Sequence, residues 1–409
     1  MSKSAIIIGA GHAGVQAALS LRDEGFDGKI TLIGEEAEFP YQRPPLSKAY
    51  LLGKVDEDGL ALKGPEIYQQ YDVELITGAP VTAIDPGQRR VALGSSAALD
   101  YDHLVLATGA RQRRLGVAGE ELDGIVHLRS LSDARTIAAR LDRAPRVVVI
   151  GAGFIGLEFA AVGRAKGLDV IVVELGSRVL GRALSVETSQ FFLNRHLTWG
   201  AHFIFGVGVD RFEGAAGSVQ CVVLSNGVRL EADLVIVGAG VTPNTELASA
   251  AGLKIQNGVV VDAQMRTSDA AIWAAGDCAA HPNPYCTSGH TRVESVQNAA
   301  DQARIVACGI VGKPEAYSAV PWFWSDQGDL KLQIAGLCEG HDKTVVRGDP
   351  ASGAFSVFCF LGDRLLAVES VNRGPDHIMA RRLLLRGVAL SAEQAADESL
   401  PLKSHLAAS

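Results

Sequence analysis

The sequence predicts an α/β protein in which one βαβ unit is written twice, the second copy lying inside an interruption of the first, with a smaller α+β piece at the C-terminal end. Three observations predict it. Residues 5–35, "AIIIGAGHAGVQAALSLRDEGFDGKITLIGE", and residues 146–174, "RVVVIGAGFIGLEFAAVGRAKGLDVIVVE", repeat one pattern. Three further apolar runs end in small-residue turns: "LVLATGA" (104–110), "LVIVGAGVTPN" (234–244) and "AIWAAGDCA" (271–279). From about residue 322 the apolar segments become short and alternate, as half-buried antiparallel strands do.

Each repeat opens on a β-branched run and turns through G-x-G-x-x-G into a helix of small apolar residues. A second β-run follows and ends in glutamate. The glycines have separate jobs. Gly9 and Gly151 permit the tight turn, Gly11 and Gly153 let backbone approach a pyrophosphate, and Gly14 and Gly156 let helix pack on strand. The anion then meets free N–H groups at a helix N-terminus. Glu35 and Glu174 lie about 20 residues past their glycines, where an acid grips ribose hydroxyls. Such an acid accepts hydrogen bonds from a free 2′-hydroxyl and repels a 2′-phosphate, so Glu174 predicts NADH over NADPH. Arg178 is the nearby cation that could blur this choice, and it is expected to face the pyrophosphate or solvent. One glycine fingerprint is weak evidence; two in full strand–turn–helix–strand context are strong. Two dinucleotide sites in one chain imply electron traffic between two dinucleotides, for which flavin and nicotinamide are the natural pair.

The remaining segments fall into place around these units. "FPYQRPPLSKAYL" (39–51) carries three prolines within six residues. Proline fixes φ and removes a donor, so this is a stiff connection that delivers Lys48 to a set place. "AAGD" puts Asp277 just past a strand. The predicted organisation is a discontinuous domain of residues 1–109 and 241–321, an inserted domain of 110–240, and a C-terminal α+β domain of 322–409. In the last, strands are expected at "LKLQIAG", "KTVVRG", "AFSVFCFLG" and "RLLAVESV", with a helix at about 376–387.

Composition removes other classes. The 409 residues suit two or three domains, and 47% apolar content supports large cores. No apolar run reaches the roughly 18–20 residues that span a bilayer, and the N-terminal run is too short for a signal segment. The expectation is a cytoplasmic protein without membrane contact. A net charge of −8 disfavours a nucleic-acid role. Six cysteines, the first at Cys221, show no C-x-x-C pairing, and the ten histidines form no metal pattern. No metal is expected.

Taken in order, "GAGHAG", "FPYQRPPLSK", "LATGA", "LRSLSDA", "GAGFIGLE", "AAGDCA", "VESVQNA" and "PWFWSDQ" resemble the FAD-dependent, NADH-using reductases of 2Fe–2S ferredoxins, the putidaredoxin-reductase type. The resemblance covers nearly the whole chain and implies a glutathione-reductase-like fold. It also implies site roles. For FAD these fall on Gly9, Gly11, His12, Ala13, Gly14, Glu35, Lys48, Val81, Ala107, Arg129, Asp277, Val296 and Trp324. For NAD they fall on Gly151, Gly153, Phe154, Ile155, Gly156, Glu158, Glu174 and Gly238. Lys48 and Glu158 would act beside the reacting rings, paired with each other. The implied partner is an acidic 2Fe–2S ferredoxin, which would supply a cytochrome P-450 or another oxygenase, and the implied state is a monomer or weak dimer. Lys331 and Arg304 are candidate docking cations. Disulfide reductases and cysteine-dependent NADH oxidases need a cysteine near the flavin, and residues 35–60 contain none. Electron donors to rubredoxin or nitrite reductase share the fold, as does an apoptosis-inducing-factor-like redox-regulated binding protein, and these alternatives stay open on sequence.

Overall fold

The two repeats become two parallel sheets in which four strands follow the same order, while the fifth comes from the end of the chain segment in one sheet and from its start in the other. In a computed structural model, which describes residues 3–94, 97–286 and 289–406, the chain forms two compact units. The first comprises Met1–Gln42, Glu57–Arg111 and Thr242–Pro321; the second comprises Arg43–Asp56, Gln112–Val241 and Trp322–Ser409.

The first unit is organised by the strand Ser4–Ile8, whose four isoleucine and alanine positions are buried. It pairs in parallel with Lys29–Ile33 on one side and His103–Leu106 on the other. Val73–Ile76 and Ile272–Ala274 complete the five strands at the outer positions. Continuous β-branched runs suit such strands because a parallel sheet is covered on both faces. The helix His12–Asp23 connects the first two strands and buries Ala13, Gly14, Ala17 and Ala18. These small residues let helix and sheet approach closely. A second helix, Val296–Ile310, begins at Ser295, whose hydroxyl accepts from the Asn298 N–H.

In the second unit the strand Arg146–Ile150 takes the central place. It pairs with Asp169–Glu174 and with Leu234–Val237, and His202–Phe205 and Ile125–Val126 lie outside these. The helix Phe154–Ala165 is the counterpart of His12–Asp23. The Gly9 N–H donates to Ile33 O at 2.8 Å in the first unit, and the Gly151 N–H to Val173 O at 2.7 Å in the second. The turn is thus tied to the second strand in the same way twice.

The second unit also contains a five-stranded antiparallel sheet, ordered Trp322–Gln327, Leu330–Gly336, Arg364–Val371, Ala354–Leu361, Lys343–Asp349. All four strands expected beyond residue 328 are present. The helix expected at about 376–387 runs Gly374–Arg386. Its first turn takes Pro375, which needs no N–H donor there.

Candidate active site

The two glycine loops show what they are built to hold. Gly9 has φ +108°, and a Cβ placed on it would lie 2.1 Å from Ala107 O. A Cβ on Gly14 would lie 1.8 Å from Gly9 O. Both glycines are therefore required by the chain's own packing. Gly11 differs: φ is −86°, open to any residue, and a Cβ there would meet nothing within 4 Å. The second loop repeats this division. Gly151, at φ +97°, backs onto Gly238 O, and Gly156 onto Gly151 O, while Gly153 faces open space. Neither helix N-terminus has a side-chain cap. Two uncapped helix ends, each behind an open glycine, form cradles whose N–H groups and dipole favour a phosphate. These residues fit the pyrophosphates of two dinucleotides.

Around the first cradle His12 and Ala13 open the helix, and Glu35 follows the strand Lys29–Ile33 with its side chain exposed. Ala107 follows His103–Leu106 and is buried. Val81 begins a strand that pairs with Arg90–Leu93. Asp277 is half-buried beyond Ile272–Ala274, and its carbonyl accepts from Arg292 Nη1 at 3.2 Å. Its predecessor is fixed by a buried network: the Gly276 N–H donates to Gln302 Oε1 at 2.8 Å, and Gln302 Nε2 contacts His281 Nδ1 at 3.1 Å and Asn298 Oδ1 at 3.2 Å. The same helix presents Val296 at its first position.

Around the second cradle Glu174 is already engaged. Its Oε2 accepts from the Ala152 N–H within the glycine loop, and its Oε1 from the Gly176 N–H, both at 2.7 Å. The carboxylate thus joins the loop to the end of its own strand. Arg178 is half-buried, and its guanidinium donates to the carbonyls of Gly181, Leu184 and Ser185, the first of these bonds lying at the surface. A planar five-donor fork is satisfied locally there.

Lys48 is delivered as the proline-rich stretch suggested. Pro44–Ser47 form one 3-10 turn with prolines at its start, and Lys48 ends it. Its Nζ lies 3.0 Å from Glu158 Oε1, with the lysine side chain 14% and the glutamate side chain 5% exposed. Two serines complete the carboxylate. Ser325 Oγ donates to Oε1 at 2.6 Å, and Ser47 Oγ donates to Oε2. Burial pushes the Glu158 carboxyl up, while Lys48 and the hydroxyls of Ser325 and Ser47 pull it down. Sequence reasoning found the ion pair but missed both serines. Their signal was adjacency: Ser47 precedes Lys48, and Ser325 lies within "PWFWSDQ".

That segment is a strand, so its side chains alternate. Phe323 packs on Phe154 with centroids 4.6 Å apart, Ser325 binds Glu158, and Gln327 contacts His196. The other parity holds Trp322 and Trp324, with centroids 5.7 Å apart. Trp322 meets His377 and Arg381 of the helix Gly374–Arg386, with the guanidinium carbon 4.8 Å from its ring centroid. Trp324 thus shares its strand face with Trp322, while Ser325 takes the opposite one. Ile155 follows Phe154 on the helix that carries Glu158. Arg129 precedes the capping box of the next helix, its N–H donating to Asp133 Oδ2 at 2.9 Å, and its carbonyl accepts from Arg43 Nη1 at 3.0 Å.

A repeated parallel βαβ unit, two open glycine cradles and a buried lysine–glutamate pair define a two-dinucleotide oxidoreductase. The chain belongs to the pyridine nucleotide-disulphide oxidoreductase family, whose model matches residues 3–303, and a reductase C-terminal model matches residues 322–406. It is 49% identical to rhodocoxin reductase of Rhodococcus erythropolis over 99% of this chain and 94% of that one. Among solved structures it resembles the ferredoxin reductase for the CYP199A2 system from Rhodopseudomonas palustris, at 47% identity and a TM-score of 0.96 over 98% of this chain and 99% of that one. It also resembles the covalent putidaredoxin reductase–putidaredoxin complex, at 42% identity and a TM-score of 0.96 over 99% and 98%. The chain departs from the family's name in one respect: Cys221, Cys278, Cys308, Cys338 and Cys359 form no disulfide, and burial pushes the thiols of Cys278, Cys338 and Cys359 up. A buried, protonated thiol is inert toward disulfide exchange.

Among the described residues no group of histidine, cysteine and acidic side chains could hold a metal ion, and no helix is long and apolar enough to cross a membrane.

Proposed function

We infer that this chain is an NADH-dependent ferredoxin reductase that carries FAD and serves a 2Fe–2S ferredoxin, which in turn supplies a cytochrome P-450 or another oxygenase. Bound FAD supplies a ring that takes two electrons as a hydride from NADH and gives them up singly. The observation that carries the reading is the pair of open cradles at Gly11 and Gly153, each backed by glycines that packing demands. The domain assignment follows from it: residues 1–109 and 241–321 for FAD, 110–240 for NADH, and 322–409 as the C-terminal domain.

Each residue then has a task. Gly9, Gly11, His12, Ala13 and Gly14 hold the FAD pyrophosphate by backbone N–H groups, and Glu35 holds the adenosine ribose. Val81, Ala107, Asp277, Val296, Arg129 and Trp324 border the remainder of FAD. Gly151, Gly153, Gly156 and Gly238 do the same for NADH, with Glu174 on its ribose and Phe154, Ile155 and Glu158 toward the nicotinamide. Lys48 places one cation where negative charge develops on reduction, the preorganised electrostatics that lowers a barrier without reorganisation. Glu158 holds that lysine still. No side chain needs to act as acid or base on substrate.

A cytoplasmic location and a monomer or weak dimer belong to the same reading, and cysteines such as Cys278, Cys338 and Cys359 that form no disulfide suit a reducing compartment. Purification, a visible spectrum and an anaerobic NADH titration test the first half. A flavin spectrum that bleaches on NADH is expected; a colourless protein that NADH leaves unchanged overturns it. Rapid NADH-driven reduction of a 2Fe–2S ferredoxin tests the second half, and reduction of a rubredoxin in its place overturns the partner class.

A further inference from the structure

Glu158 is the end of a buried chain of side chains that the reaction itself does not call for. His196, on the helix Val186–Thr198, lies with Nε2 2.8 Å from Gln327 Oε1. Gln327 Nε2 donates to Ser325 Oγ at 3.2 Å, and Ser325 Oγ donates to Glu158 Oε1 at 2.6 Å. His196, Gln327 and Ser325 are fully buried. Polar groups sealed from water are retained only when each is satisfied in a consistent direction.

The direction here follows from counting donors. Burial holds the His196 imidazole down to about 4, so near neutral pH it has one N–H. Its Nδ1 is buried without a hydrogen-bond partner, which leaves that hydrogen on Nε2, donated to Gln327 Oε1. Gln327 must then present Nε2 to Ser325. A hydroxyl has one hydrogen, and Ser325, already an acceptor from Gln327, must give its own to Glu158 Oε1. Lys48 Nζ reaches the same oxygen at 3.0 Å. Oε1 is thus an acceptor twice over.

The other oxygen is held differently. Ser47 Oγ contacts Oε2 and also lies 3.5 Å from Pro44 O. It can donate to an ionised Oε2. It can equally accept from a protonated Oε2 while turning its hydrogen to Pro44.

We propose that His196, Gln327 and Ser325 are positioning residues which fix Glu158 Oε1 as the oxygen facing Lys48 and confine any proton on Glu158 to Oε2, against Ser47. The proposal rests on the reductase reading for its consequence and on the hydrogen-bond directions alone for its content. Charged groups on the surrounding segments are Arg43 and Lys48, Asp326, Arg164 on the helix of Glu158, and Glu187 and Arg195 on the helix of His196, the last paired with Asp329. Lys48 is the one in ion-pair contact with Glu158; Arg43 donates to Arg129 O, and Arg164 to Trp199 O and Leu168 O.

The two serines should therefore differ. Ser325 stabilises the ionised form through a donor it cannot withdraw, so its loss raises the carboxyl's titration point. Ser47 serves both forms, and a partner to both shifts neither strongly. The test is an isotope-edited infrared pH titration of the glutamate carboxyls in the holoenzyme, with Glu158→Gln as the subtraction that assigns the band. Ser325→Ala should move the Glu158 titration up by about 1–2 pH units, the worth of one hydrogen bond to a charged group. Ser325→Thr should restore it. Ser47→Ala should move it by less than half as much. Gln327→Met, which frees the Ser325 hydrogen, should move it in the same direction as Ser325→Ala and carries the test if that variant does not fold. The acid limb of NADH-driven flavin reduction should follow, because Lys48 loses its partner below the titration point of Glu158. Equal shifts for the two serine variants overturn the proposal. So does a titration that neither Ser325→Ala nor Gln327→Met moves. A titration that shifts as expected in a protein whose flavin NADH does not reduce would overturn the reductase reading and leave the assignment of the two oxygens standing.

Discussion

At the scale of single residues, two carboxylates differ because their surroundings differ. Glu174 is half-exposed and held by backbone N–H groups of Ala152 and Gly176. These partners hold it at the end of its strand. Glu174→Gln keeps one acceptor and loses the charge that repels a 2′-phosphate. It should lower the NADH-to-NADPH ratio of kcat/KM by about 10–150-fold, from a charge-assisted hydrogen bond of roughly 1.5–3 kcal/mol. An unchanged ratio would remove Glu174 from the specificity site. Glu158 is buried, and its nearest cation is Lys48. Lys48→Met should leave FAD bound, slow flavin reduction in stopped flow, and raise the Glu158 titration point, since the lysine is what pulls it down most strongly. Reduction at wild-type speed with an unchanged midpoint potential would show Lys48 to be structural.

At the scale of elements, the glycines of one loop separate into those the fold needs and those a ligand needs. Gly14→Ala forces a Cβ to within 1.8 Å of Gly9 O, and backbone must shift to relieve it. It should lower the melting temperature sharply or prevent folding. Gly11→Ala meets no protein atom and should fold, with FAD content as the quantity lost. Equal melting temperatures for the two apoproteins would contradict this division. The helix Gly374–Arg386 carries the element-scale view of the partner. Ile378, Arg381, Arg382 and Leu385 are exposed at the spacing of one helical face. Arg381 sits over Trp322, and both it and Lys331 help push the His377 imidazole down, below the effect of its burial. Cations around two tryptophans suit an acidic partner. Arg304, by contrast, is paired with Asp301 at 2.5 Å on its own helix, which offsets its charge locally. Lys331→Glu with Arg381→Glu should raise the apparent KM for a 2Fe–2S ferredoxin while flavin reduction by NADH stays at its wild-type rate. The increase should shrink with added salt. Ferredoxin turnover indifferent to both charges and to salt would send the docking face elsewhere.

At the scale of the whole molecule, three buried histidines set an acid limit. Burial pushes His196, His281 and His377 each from 6.5 down to about 4. Between those values the unfolded chain binds protons that the native one refuses, so stability falls as pH falls from about 6.5 toward 4 and is regained on raising the pH. Thermal unfolding followed across that window should show the fall beginning above the carboxylate range. His281→Gln should flatten it. A melting temperature constant down to pH 5 would mean that the imidazoles are charged inside the fold.

How much of this was legible without coordinates depends on how far a signal reaches along the chain. The glycine loops, their strands and helices and the strands of the C-terminal sheet were readable because turn geometry and side-chain alternation are local. They act within one βαβ unit or along one strand. The pairing of Lys48 with Glu158 came through resemblance and needed coordinates to confirm it. Ser47 and Ser325 left only the faint signal of adjacency and Gln327 and His196 left none, because a buried carboxylate collects its partners across a fold and not along a sequence. The carbonyl partners of Arg178 were hidden for the same reason, since they lie in a turn that no residue pattern announced. The amino-acid sequence by itself determined the fold class, the two cradles and the absence of a redox cysteine pair beside the first of them. Only the tertiary structure decided which groups surround Glu158 and in which direction each donates. Hydrogen-bond satisfaction of a buried charge is settled by what burial brings within about 3 Å of it.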